Sequence, residues 1–70
     1  MYDKTAKKIV IHEGTKQIEI EQFKWYDEVE EIVLPDSIEV INMMAFAGGK
    51  SLKRINLPDN LSLLEPYAFA

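Results

Sequence analysis

The chain has 70 residues, no cysteine and a net charge of −4, with 29% of its residues charged. That is room for one domain with a thin core, burying roughly 60% of the surface an unfolded chain of this size exposes, with no disulfide or thiolate metal site to supplement it. Lys and Arg form no basic stripe, which argues against nucleic acid or an anionic membrane as partner.

Met1-Tyr2-Asp3-Lys4 opens the chain without an apolar run, and no later run is long enough to span a bilayer. Neither a signal peptide nor a membrane span is therefore read in the chain as given, and the compartment stays open. Residues 1–8 are polar and of mixed charge. They read as a lead-in that covers the first edge of a stack, or as a frayed tail.

From Ile9 onward the chain repeats at 23 residues. Ile9, Ile32 and Ile55 fall in register, as do Ile11, Leu34 and Leu57, then Ile18, Ile41 and Leu64, then Phe23, Phe46 and Phe69. A fixed period in the twenties marks a solenoid, in which each repeat buries its apolar face only against its neighbours. The whole chain, 1–70, is one domain. Residues 9–28 form a degenerate first repeat, with His12 where the others have Pro; 29–51 form the second, and 52–70 a truncated third.

Within a repeat the pattern changes. Apolar alternation with β-branched residues predicts short strands near Glu31 to Leu34 and Arg54 to Leu57. Pro35-Asp36-Ser37 and Pro58-Asp59-Asn60 stop them as turns, and Ile38 to Ile41 and Leu61 to Leu64 form a second extended segment. Met43 to Ala47 contains good helix formers and predicts a one-turn helical segment ended by Gly48-Gly49; one longer helix from Val40 to Ala47 is the alternative. The corner Trp25-Tyr26-Asp27-Glu28 is bulkier than Gly48-Gly49-Lys50-Ser51 and predicts a turn of different geometry. The third copy breaks off after Phe69, so Leu57, Leu61, Leu64 and Phe69 are expected at an open edge: either more repeats follow or the edge pairs with another molecule.

Val29-x-x-Ile32-x-Leu34-Pro35 through Ala45-Phe46, and Leu52-x-x-Ile55-x-Leu57-Pro58 through Ala68-Phe69, resemble the BspA-like class of leucine-rich repeats. The family pattern usually continues Ala-Phe-x-x-Cys, and here the Cys place holds Tyr26 and Gly49. The resemblance implies a right-handed, mostly β solenoid of short parallel strands. It also implies protein binding or adhesion, often at the bacterial cell surface or in secreted proteins, with no catalytic residues to carry over.

Stacking turns equivalent positions into ladders. Those facing away from the core on the first strand are Lys8, Glu31 and Arg54, and Val10, Val33 and Asn56. They serve either as cross-strand charge pairs on a solvated face or as a surface that recognises a protein partner. Glu13, Asp36 and Asp59 stack at the strand-ending turn, where acids can hold a hard cation such as Ca²⁺ or simply make the turn; no metal or cofactor is assigned. Val40, Leu63 and Met43 fall outside the core as scattered apolar residues or a patch for a neighbour. His12 is the only histidine, and no His or Cys partners Ser37, Ser51 or Ser62, so the inventory for catalysis is thin. The function expected is a non-catalytic protein-binding module in a bacterial adhesion or interaction protein. The alternative is a capping or spacer segment that self-associates through its C-terminal edge.

Overall fold

The computed structural model describes residues 2–69. Six short strands run in order: β1 (Lys8–Val10), β2 (Gln17–Ile18), β3 (Glu31–Val33), β4 (Val40–Ile41), β5 (Arg54–Ile55) and β6 (Leu63–Leu64). They form two three-stranded sheets, β1-β3-β5 and β2-β4-β6, and every pairing is parallel. The register is the sequence period itself: Lys8 sits beside Glu31 and Glu31 beside Arg54, while Ile18 sits beside Ile41 and Ile41 beside Leu64. The fold is a mostly β repeat solenoid of three coils, and each coil contributes one strand to each sheet.

Parallel strands this short carry few ladder bonds, so the core must hold the coils together. Ile9, Ile11, Ile18, Ile32, Leu34, Ile38 and Ile41 are buried in columns between the sheets. A third column is aromatic. Phe23, Phe46 and Phe69 stack nearly face on, with centroids 5.5 and 5.3 Å apart and ring planes within 9° of parallel. Each fully buried member of these columns contributes about 1.5–3 kcal/mol of transfer free energy.

The third side of each coil is not helical, and no helix occurs among the described residues. Over Asn42 to Gly49 three hydrogen-bonded turns overlap: Ala45 N–H donates to the Asn42 carbonyl, Ala47 to Met44 and Gly49 to Phe46, at 3.2 Å each. Met44 (φ 57°) and Gly48 (φ 78°) are left-handed at the third position of their turns, as type II turns require. A helix would spend every amide within its own coil. In the first coil the alternate amides reach the next one instead: Glu21 N–H donates to the Met43 carbonyl, Phe23 to Ala45 and Trp25 to Ala47. Those bonds between coils override the helix preference of Met43 to Ala47, and likewise exclude the longer helix, whose first residues are strand β4.

Trp25 corrects a second expectation. It takes φ 68°, nearly that of Gly48 one step later, and Tyr26 N–H donates to Phe23 as Gly49 N–H does to Phe46. The two corners share one geometry despite Trp standing where the next coil has Gly. A left-handed L-residue costs about 1–2 kcal/mol. The Trp25 ring lies on Gly48, where an added Cβ would overlap it.

The first coil's outer face is covered by the residues before it. Tyr2 packs its ring 5.3 Å from Phe23 and 5.3 Å from His12, accepts a hydrogen bond from His12 N–H at 3.0 Å on its hydroxyl, and receives the Tyr26 hydroxyl on its carbonyl. Asp3 folds this segment by accepting both the Thr5 hydroxyl and the Thr5 N–H, which hold its carboxyl below the usual range.

Candidate functional site

The outward positions of β1, β3 and β5 follow from strand alternation: Ile9 and Ile32 point into the core, so their neighbours point out. The structure brings Lys8, Glu31 and Arg54 side by side and sets Val10 against Val33. Arg54 Nη2 lies 3.4 Å from Glu31 Oε1. Lys8 is exposed and forms no ion pair among the described residues. Val10 is exposed, and Val33 is half-buried at the centre of the face.

Asn56 is placed differently from its expected companions. Strand β5 ends at Ile55, short of the predicted Leu57, and the Asn56 side chain replaces the missing ladder. Its Oδ1 accepts the Leu34 N–H at 2.7 Å and its Nδ2 donates to the Leu34 carbonyl at 2.9 Å. One coil earlier the same place is filled by backbone alone, with Ile11 N–H donating to the Val33 carbonyl at 2.9 Å. Asn56 thus holds the third coil in register through its side-chain amide. The strand prediction was likewise one residue too long at Leu34, because β3 ends at Val33.

Between β3 and β5 runs a shallow groove lined by Glu31, Val33, Lys53, Arg54 and Asn56. Lys53 belongs to a charged column that strand alternation did not single out, Lys7, Glu30 and Lys53, in which Lys7 Nζ lies 3.9 Å from Glu30 Oε2. Its signal was present in the 23-residue spacing. Both columns place an acid in the middle coil and bases on either side. The face therefore offers charges of both signs around an apolar strip.

Elsewhere the polar groups are committed to the stack. Ser37 Oγ donates to the Thr15 carbonyl and accepts from Gly14 N–H, and Ser62 Oγ donates to the Glu39 carbonyl. The His12 ring packs on Tyr2. Among the described residues no three His, Asp or Glu side chains come together as a metal-binding group, so Glu13, Asp36 and Asp59 do not converge as the calcium alternative required.

The model of the BspA type leucine rich repeat region, described as having 6 copies, matches residues 1–70. The chain belongs to this family. The described count of six differs from the three coils that the 23-residue step produces here. No curated protein and no solved structure matches the chain. BspA-type repeats, as leucine-rich repeats in general, are protein-interaction scaffolds and typically non-enzymatic. Among the described residues no helix is long and apolar enough to cross a membrane.

Proposed function

We propose that this chain is a non-catalytic protein-binding module whose recognition surface is the outer face of β1-β3-β5, centred on Glu31 and Val33 with Lys8, Val10, Arg54 and Asn56 around them. The observation that carries the reading is the groove between β3 and β5, where an apolar strip meets charges of both signs. Family membership supports a setting in a bacterial surface or secreted adhesion protein. Asn56 acts on this face by fixing the strand end, and Val33 and Glu31 make the contact. In affinity capture with the immobilised wild-type chain, a partner is retained; Val33→Asp with Glu31→Lys abolishes its retention, and Glu13→Lys on the turn leaves it intact. Capture that survives the double substitution in a folded chain contradicts the reading.

A second reading has its own support. The last coil exposes Leu57 (50%), Leu64 (43%) and Phe69 (41%), whose counterparts in the second coil are buried. An apolar layer beside free strand edges suits self-association. Sedimentation of the wild-type chain then shows a dimer that Leu57→Lys dissociates, whereas a monomer at all concentrations disposes of this reading and leaves the first untouched.

A further inference from the structure

Nine large apolar side chains are exposed among the described residues, and they are not scattered. Leu57, Leu64 and Phe69 belong to the stacking surface of the last coil. Four others, Ile20, Met43, Leu63 and Tyr67, gather along the edge where the β2-β4-β6 sheet passes into the turns. Val40 pairs with Leu63 across β4 and β6, and the hydrogen bond from Glu21 N–H to the Met43 carbonyl brings the Ile20 segment alongside Met43. One coil step, about 4.8 Å, relates Met43 to Pro66 and Met44 to Tyr67. The result is a ridge parallel to the stack axis, on a different side of the coil from the Glu31 and Val33 face, in which the apolar columns of Val40 and Leu63 and of Ile20 and Met43 flank the polar column of Glu19, Asn42 and Glu65.

Tyr67 adds the largest exposed ring to this edge, at 73% exposure. Its backbone is set by the repeat: φ is 65° here, as it is 57° at Met44 and 59° at Glu21 one and two coils earlier.

Charge identifies the occupant. Lys16 pairs with Glu39 at 3.8 Å and Lys24 with Glu21 at 3.2 Å, so these groups are compensated. Glu19 and Glu65 have no ion pair among the described residues. They occupy one column with Asn42 between them, whose Nδ2 is engaged by Gln17 and the Ile18 carbonyl. Two coil steps separate the carboxylates by about 10 Å along the ridge. A partner that satisfies both needs cations at that separation on the same face as its apolar side chains. In a helix, positions i and i+7 lie about 10.5 Å apart on one face, whereas in a strand the residues about 10 Å apart, i and i+3, point to opposite faces. The helical pitch of about 5.4 Å also follows the coil spacing closely over three coils.

We propose that the ridge of Ile20, Val40, Met43, Leu63 and Tyr67, with Glu19 and Glu65, docks a cationic amphipathic helix of a partner protein. This surface does not depend on the strand-face reading, and neither fails with the other. The probe is a synthetic helix whose leucine face carries Lys at i and i+7, titrated calorimetrically into the whole chain. Saturable binding is expected. Met43→Ser with Leu63→Ser weakens it about tenfold through lost apolar contact. Glu19→Gln with Glu65→Gln weakens it several-fold and flattens its salt dependence. Val33→Ser leaves it unchanged. All substituted side chains but Val33 and Glu65 are exposed, and circular dichroism verifies the fold of each variant. The proposal is overturned by absent binding, by binding that persists in the Met43/Leu63 variant, or by equal binding of a peptide whose leucines are replaced by serine.

Discussion

At one end of the stack Tyr2 lies on Phe23 and leaves it 1% exposed; at the other, Phe69 carries Phe46 on one face and stands open on the other. The same residue type, in the same column and at nearly the same ring spacing, is core in one coil and surface in another. The difference shows where this solenoid gets its stability. A coil is held by what covers it on both sides, because its strands of two or three residues supply too few bonds to stand alone. The closed end does this with a single aromatic residue whose ring, hydroxyl and carbonyl are all used. At the end of β5 the open coil uses the Asn56 side chain where the coil before it bonds through backbone, from Ile11 N–H to the Val33 carbonyl.

Substitutions along the Phe column break this comparison most directly. Phe46→Ala, in the middle, should cost about 3–5 kcal/mol, enough to remove the cooperative thermal transition of so small a domain. Phe23→Ala should cost a similar amount, and melting curves close to wild type for either would sink the three-coil account. Next in size is Tyr2→Ala, expected at about 2–3 kcal/mol, because it uncovers the first coil and removes the acceptor for His12 N–H. Asn56→Ala should cost about 1–3 kcal/mol by leaving the Leu34 N–H and carbonyl without partners. Its signature is local: urea denaturation followed by exchange at Lys53 and Ser62, whose amides bond back from the third coil, should show early opening of that coil. Phe69→Ala should cost about 1–2 kcal/mol, less than the same truncation one or two coils earlier. Smallest is Lys7→Ala, which breaks an exposed pair at 3.9 Å and should change stability by less than about 1 kcal/mol.

The sequence made the columns legible because stacking forces identical spacing on every core position. Ile9, Ile32 and Ile55 could be placed side by side from their numbering alone, and so could the three Phe residues. The turns after β2 and β4 were not legible in the same way. Met43-Met44-Ala45-Phe46-Ala47 reads as helix on local preference, and only hydrogen bonds between coils move Met44 into a left-handed conformation. Trp25 misled for a related reason: its bulk suggested another turn, yet the repeat imposes the geometry of Gly48 and Trp25 bears the strain. Asn56 is in an outward column by spacing, but its amide also matches a backbone peptide in shape and hydrogen-bonding groups. Which use prevails depends on where β5 ends, and that is a tertiary matter. For the ridge, Val40, Leu63 and Met43 were visible as apolar residues outside the core. Ile20 and Tyr67 join them only once the turns are placed.

Native-state hydrogen exchange, residue by residue, tests the contrast between the two ends most directly. Protection should be highest for Ile11 and Phe23, whose amides bond from the first coil to the second, and should fall for Phe46, which bonds to Ala68 of the open coil, and for Lys53, Arg54 and Ser62, which bond back from it. Asn56→Ala should steepen that gradient without lowering Phe23 first. Uniform protection across the three coils, or a gradient in which the amides of the first coil open before those of the third, would contradict it.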